Sequence, residues 1–497
     1  MKTNNDLSKL IDNYLRKNKN KTVFFDNLKQ LSGFQTQKII DNFVKNLFKL
    51  SLKKKKNLVI GLYLDRNINY LISIFACWKA GATIIPLNKS WPDKHLENIR
   101  KQLDFDYIIK DCSKFNGSTF VNLKVLLKNN SDKISKKLIT KSRKKNLIPY
   151  IIFTSGSTGI QKGVQITADG YLDYIEWTKE NFKNYKKLSP LIITAEMTFD
   201  IAMGDIAYAL SHKTGIVISS SSKNFFEHIH LIKKYKVEVF YSVPSTINLL
   251  MDYSKIKNDI KSIKLFISGG DVFNLNMIKK IILNNPKSSF YNVYGPTECT
   301  INVTSIRLDN LYKNGKLKKI PIGRIFKHLN YKLISFKKRK VIENKKSGEL
   351  IISGNQVMKD YVNKESTKNE YFININNKKY YRTGDLVKKS NNILFLKGRI
   401  DDIVKIRGYR VNPQEVDNLI LCNKKIINSK TIVAKKENKL ITFIQISNSS
   451  LKKNVEMFIK KSLPIYMTPY KIIYLKKFTL GKSGKIDKNK LSKYYAN

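Results

Sequence analysis

The sequence predicts an α/β protein with mostly parallel sheets, a β-rich stretch late in the chain and a small α+β unit at its end. Three observations carry this expectation. Short apolar runs of strand type alternate with segments of helical spacing through the first four-fifths of the chain. A glycine-punctuated, β-rich stretch follows, as in residues 348–354. The character changes again near Gly398-Arg399-Ile400-Asp401-Asp402, after which roughly a hundred residues read as a compact α+β unit.

In chain order, residues 58–64 (Leu-Val-Ile-Gly-Leu-Tyr-Leu) read as a buried strand. Leu71, Ile74, Phe75 and Trp78 then recur at helical spacing, and Gly81 ends that helix. Residues 83–87 form the next strand, and the alternation continues at 106–109, 150–153, 191–193, 215–218, 237–241 and 263–267. Such a parallel arrangement puts ligands at the carboxyl ends of its strands. The boundary is predicted to divide a domain of residues 1–400 from one of residues 401–497.

The chain has 497 residues, 42% of them hydrophobic, enough for a large core and at least two domains. No run of 18 or more apolar residues predicts a membrane span. The polar opening Met1-Lys2-Thr3-Asn4-Asn5-Asp6 is unlike a signal peptide, so a cytoplasmic protein is expected. Cys77, Cys112, Cys299 and Cys422 lie far apart without metal-ligand spacing and read as reduced thiols. The net charge of +55 raises nucleic-acid or anionic-membrane binding as a possibility. Lysine is spread along the chain and far outnumbers arginine, without exposed-looking aromatics between, so nucleic acid is not expected and compositional bias is the favoured source.

Five stretches carry chemistry. After the strand at 150–153 comes Thr154-Ser155-Gly156-Ser157-Thr158-Gly159-Ile160-Gln161-Lys162-Gly163, a loop of small hydroxyl and glycine residues closed by Lys162. It offers backbone N–H groups, hydroxyls and an ammonium to a polyphosphate. Gln161 before the lysine, with no Ser or Thr after it, excludes a Walker A loop. Tyr291-Asn292-Val293-Tyr294-Gly295-Pro296-Thr297-Glu298 is a strand running into a tight turn with Thr297 and Glu298 at its tip. In Tyr381-Arg382-Thr383-Gly384-Asp385-Leu386, one aspartate on a turn can accept protons from both hydroxyls of a ribose. The fourth stretch runs from Gly398 and Arg399 through Asp401 and Lys405 to Arg410, and the fifth is Gly481-Lys482-Ser483-Gly484-Lys485-Ile486-Asp487.

In this order, and over nearly the whole chain, these stretches resemble the adenylate-forming enzymes: acyl-CoA synthetases, luciferases and the adenylation domains of nonribosomal peptide synthetases. The resemblance implies a large N-terminal AMP-binding domain with a β-rich subdomain and a small mobile C-terminal domain hinged at Asp401. It implies that ATP is held by residues 154–159, Lys162, Asn292, Tyr294, Gly295, Asp385 and Arg399, with Tyr294 near the adenine and Asp385 on the ribose. Thr297 would contact phosphate, Glu298 would ligate Mg²⁺, and Lys485 would reach the substrate carboxylate and α-phosphate. Residues 405–410 would approach an acceptor thiol. Gln161 stands where proline is usual, a change predicted to alter loop stiffness more than contacts.

Asp200, in Glu196-Met197-Thr198-Phe199-Asp200-Ile201, falls where amino-acid-activating members set an aspartate against the substrate ammonium; a helix-capping aspartate is the alternative. By position the other pocket walls would be Ile201, Gly204, Thr246, Ile267, Gly269, Val293, Ile301 and Asn302. This small, apolar lining points to a neutral amino acid of modest size, and Gly204 in place of a bulkier residue predicts extra depth. Stand-alone relatives of this length include D-alanine–D-alanyl carrier protein ligases, which differ at Gly204 and Gly269. The expected reaction is ATP-dependent formation of an acyl-adenylate, then transfer to the phosphopantetheine thiol of a separate carrier protein, or to CoA. An acidic carrier protein would suit the basic chain. The alternatives are an acyl- or aryl-CoA ligase and a basic anion-binding protein on an inactive adenylation fold.

Overall fold

The computed structural model describes residues 6–51, 57–112, 117, 119–129, 148–154, 161–252, 259–271, 275–317, 319–337, 340–343, 346–362, 371–400, 404–406, 408–423, 425–434, 437–446, 448–476, 478 and 488–496. Two large sheets form its first layers. One is built on Val239–Ser242, flanked by Leu191–Ile193 and Leu265–Ser268, then by Ile216–Ile218 and Ser289–Tyr294, all parallel. The other runs Phe120–Asn122, Tyr107–Lys110, Val59–Tyr63, Thr83–Pro86 and Tyr150–Thr154, parallel until the antiparallel strand Lys162–Ile166 closes it. The predicted strands are present to within one or two residues at their ends.

Helix Ile68–Lys79 shows why the layers pack as they do. The Asn67 side chain caps it by accepting from the Asn69 N–H at 2.8 Å, and Gly81, at φ +77°, turns the chain out of it. Every residue but Asn69 is buried, because the helix touches strands of both sheets. Trp78 fastens it by donating to the Pro149 carbonyl at 2.9 Å, immediately before the strand that leads to the Gly/Ser/Thr loop.

The β-rich stretch is an antiparallel sheet of Asn330–Lys337, Lys340–Glu343, Ser347–Ser353, Phe372–Ile375, Lys378–Ser390 and Ile393–Arg399. The described residues beyond 400 form the hairpin Val404–Ile406 and Tyr409–Val411, then a three-stranded sheet of Ile426–Ala434, Lys439–Ile446 and Lys471–Tyr474 beside helices Pro413–Ile420, Lys452–Ser462 and Lys488–Ala496. The two apolar clusters of this last part draw only on residues 404–495.

Candidate active site

At the carboxyl end of strand Ser289–Tyr294 the chain doubles back tightly. A Cβ on Gly295 would lie 2.5 Å from Asn302 Cα, so only glycine fits that crossing. Thr300 and Ile301 follow at φ +57° and +71°, costly for a β-branched side chain. The Gln356 side-chain amide holds them by donating to the carbonyls of Thr300 at 3.3 Å and Asn302 at 2.9 Å, and the Gln356 backbone carbonyl accepts from Thr300 Oγ1 at 2.6 Å. This turn presents Thr297 to a cavity of about 80 Å³ and buries Glu298 behind it.

The Tyr361 hydroxyl donates to Glu298 Oε1 at 2.8 Å, and Lys162 Nζ sits 5.1 Å from the Tyr361 ring centroid. Lys162 is paired with Thr154 across the antiparallel ladder, and buried Thr154 Oγ1 has no hydrogen-bond partner among the described residues. One buried carboxylate, a lysine and an unsatisfied hydroxyl suit a magnesium–polyphosphate, since Mg²⁺ is held by one or two carboxylates plus phosphate oxygens. No group of three or more metal-ligating acids, histidines or cysteines occurs among the described residues.

Asp385 is fixed from two sides. Arg399 Nη1 donates to its Oδ1 at 2.6 Å and the Tyr294 hydroxyl to its Oδ2, while the two residues Asp385 and Arg399 are also register partners on adjacent strands. Lys405, from the hairpin beginning at Val404, lines the same cavity with its Nζ 5.9 Å from the Tyr294 ring centroid. Burial pushes its ammonium pKa down, opposed by the charge of Asp385.

Asp200 opens helix Asp200–His212 with its carboxyl in the cavity. Burial raises the carboxyl pKa to about 6, against a hydrogen bond with the Thr297 side chain and the Lys405 charge, and with Glu298 adding to the rise. The helix is preceded by Phe199, which makes no side-chain cap.

The structure thus brings Thr154, Gly295, Thr297, Asp385 and Arg399 to one cavity with Asp200, Ile201, Ile301 and Asn302. Other expected residues lie apart from this cavity. Asn292 does not face the cavity, because it is buried and donates to the Pro321 carbonyl at 2.7 Å. Tyr294 is buried with its hydroxyl on Asp385, which itself lines the cavity. Gly204, Ile267 and Val293 line a separate void of about 10 Å³, and Thr246 lines a third cavity. Gly269 packs on backbone, where a Cβ would meet the Val293 carbonyl at 2.3 Å. The depth expected from Gly204 is absent because Tyr241 occupies that space. Gln161 does make a contact that proline could not, its amide meeting the His95 imidazole, whose pKa burial pushes down to about 3. Ser155, Gly156, Ser157, Thr158, Gly159, Asp401 and Lys485 lie outside the described residues.

A family model described as AMP-binding enzyme matches residues 11–362. The chain belongs to that family. A D-alanine–D-alanyl carrier protein ligase of Bacillus licheniformis is 31% identical over 356 residues, covering 69% of this chain and 70% of the relative. Another, from Listeria welshimeri, is 27% identical and covers 89% and 90%. Among solved structures, a Vibrio cholerae adenylation domain in complex with glycyl-adenosine-5'-phosphate superposes with a TM-score of 0.80 at 19% identity, covering 100% of this chain and 98% of that one. An o-succinylbenzoate CoA synthetase of Bacillus subtilis gives 0.83 at 16% identity, covering 97% and 98%. The protein is therefore an AMP-forming ligase with the two-part adenylate-forming fold.

The ligase has one further feature that its sequence did not reveal. A cavity of about 570 Å³ runs past Thr246, Leu249 and Asp252 and meets the first cavity at a collar of Trp91, Phe199, Tyr409 and Tyr466, which line both. Tyr409 stacks on Tyr466 with centroids 4.3 Å apart and packs against Phe199 at 4.6 Å. Gly408 permits this docking, since a Cβ there would lie 2.4 Å from Val243 Cγ1. No helix among the described residues is long and apolar enough to cross a membrane.

Proposed function

We propose that this ligase activates an α-amino acid as its adenylate and passes the aminoacyl group to the phosphopantetheine thiol of a separate carrier protein. The carrying observation is Asp200: a cavity-facing carboxylate, held at an elevated pKa by burial, beside the Asp385–Arg399 pair. A substrate ammonium would stabilise the Asp200 ion, and a substrate without it would leave that ion desolvated and unpaired.

In the first half-reaction the substrate carboxylate oxygen attacks the α-phosphorus of ATP and pyrophosphate leaves. Asp385 and Arg399 fix the ribose, and Thr297, Thr154 and Lys162 bind phosphate oxygens. Glu298, oriented by Tyr361, would hold the magnesium ion, whose role is to offset charge on the phosphates. Lys485 would neutralise charge between carboxylate and α-phosphate. In the second half-reaction a thiol enters through the larger cavity and attacks the acyl carbon, releasing AMP. The docked hairpin, with Lys405 in the first cavity and Tyr409 at the collar, supports reading this arrangement as the thiol-transfer stage. The unit of residues 401–497 would rotate about Asp401 between the two stages.

ATP–pyrophosphate exchange against L- and D-amino acids, with aryl and fatty acids alongside, tests the reading. Exchange with an amino acid supports it, and exchange confined to acids lacking an amine overturns it. Loading of a phosphopantetheinylated carrier protein in preference to free CoA tests the acceptor.

A further inference from the structure

Three carbonyls of the turn after Glu298 converge on one nitrogen. Gln356 Nε2 donates to Cys299 at 3.2 Å, to Thr300 at 3.3 Å and to Asn302 at 2.9 Å. Two residues further on, the Met358 N–H donates to the Glu298 carbonyl at 2.7 Å. Such support is needed, because Thr300 and Ile301 hold a left-handed backbone that persists only when its surroundings fix it.

A glutamine amide has two ends of nearly one shape, and turned over it would set its oxygen against those three carbonyl oxygens. The outer end decides which way it points. Gln356 Oε1 accepts from His328 Nε2 at 2.6 Å, so that ring nitrogen carries the hydrogen. Gln356 is fully buried and His328 exposed, so this bond links the surface to the turn. The loop that brings His328 is anchored to the same region. Phe326 stacks on Trp177 with centroids 3.7 Å apart, and its N–H donates to the Val303 carbonyl at 2.9 Å, one residue past the turn. Neither Gln356 nor His328 is among the described residues that line the main cavity, whereas Thr297, Ile301 and Asn302 are.

Building on the reading of Thr297 and Glu298 as the phosphate and magnesium groups, we infer that His328 and Gln356 are positioning residues: His328 orients the Gln356 amide, and the amide sets the turn that aims both groups. A histidine on the surface thereby governs the geometry of a site it never touches.

The test is pyrophosphate exchange by the full chain, titrated against ATP and magnesium, with the acid that the wild type exchanges fastest among glycine, alanine, leucine, benzoate and hexanoate. His328→Phe keeps a ring beside Phe326 but loses the donor. Its kcat per folded molecule should fall about fivefold, with more magnesium needed for half-maximal exchange. His328→Gln puts a donor back at that position and should return to within about twofold of wild type. Gln356→Leu should lose about a hundredfold. Adding His328→Phe to it should cost nothing further, because His328 acts through the amide. Calorimetric binding of magnesium–ATP, which needs no acid, should weaken in the same order, while binding of AMP, held through Asp385 and Arg399, stays unchanged. A merely structural pair would lower Tm and leave kcat per folded molecule and the magnesium dependence alone. That result overturns the inference, as do losses that multiply in the double variant. Glu298→Gln separates the inference from the reading beneath it. A full magnesium response in that variant sinks the reading; its loss there, beside normal His328→Phe and Gln356→Leu, sinks the inference alone.

Discussion

Asp200→Asn isolates charge from shape. The carboxyl's rise from 3.8 to about 6 corresponds to about 3 kcal/mol by which the cavity disfavours its ion. A bound ammonium recovers energy of that order, so the variant should lose about a hundredfold in kcat/KM for the amino acid. Acids without an amine should lose nothing. Pyrophosphate exchange from pH 5 to 9 gives the second readout: wild-type kcat/KM falls below about pH 6 as the free enzyme's carboxyl takes a proton, and the variant is flat there. Stability moves the other way. Between 3.8 and about 6 the unfolded chain releases this proton while the folded chain keeps it, so the wild type loses stability relative to the variant as pH rises through that window. Above it the variant should be the more stable by up to about 3 kcal/mol, read as a higher Tm. A folded variant that loses less than about threefold in kcat/KM, or that keeps the acid limb, would refute the reasoning.

Lys485→Ala should abolish exchange while sparing ATP binding by calorimetry; near-normal exchange removes that lysine from the mechanism. Tyr361→Phe takes the donor from buried Glu298, costing about 1–3 kcal/mol and raising the magnesium concentration for half-maximal exchange; an unchanged magnesium titration would count against Glu298 as the ligand. Arg382→Ala leaves Glu349, which Arg382 meets through both Nε and Nη2, buried without its cation, so a loss of about 3–5 kcal/mol in denaturant unfolding is expected.

Parallel strands were legible because runs such as Leu191–Ile193 and Leu265–Ser268 are apolar on both faces and bounded by polar residues. The turn at Gly295 and the Asp385 site were legible because each packs its chemistry into a few consecutive residues. What escaped was chemistry assembled across distance. Tyr361 meets Glu298 across 63 residues of chain, and Gln356 reaches the 299–302 turn across a similar span, with no spacing to mark either pair. Tyr241 escaped for another reason: a tyrosine in an apolar strand reads as core, and its place at the cavity emerges only once Gly204 is seen beneath it. The packing of Gly269 on the Val293 carbonyl and the bond from Asn292 to the Pro321 carbonyl were likewise invisible to reading by position.

Thr154 and Lys162 are partners on one rung of an antiparallel ladder. The chain therefore leaves the sheet at Thr154 and rejoins it at Lys162, with seven residues of sequence between them. A one-residue insertion or deletion absorbed by sliding the ladder would turn Lys162 to the opposite face of the sheet. Substitution carries no such penalty. The register of this rung therefore depends on the length of the segment more than on its composition.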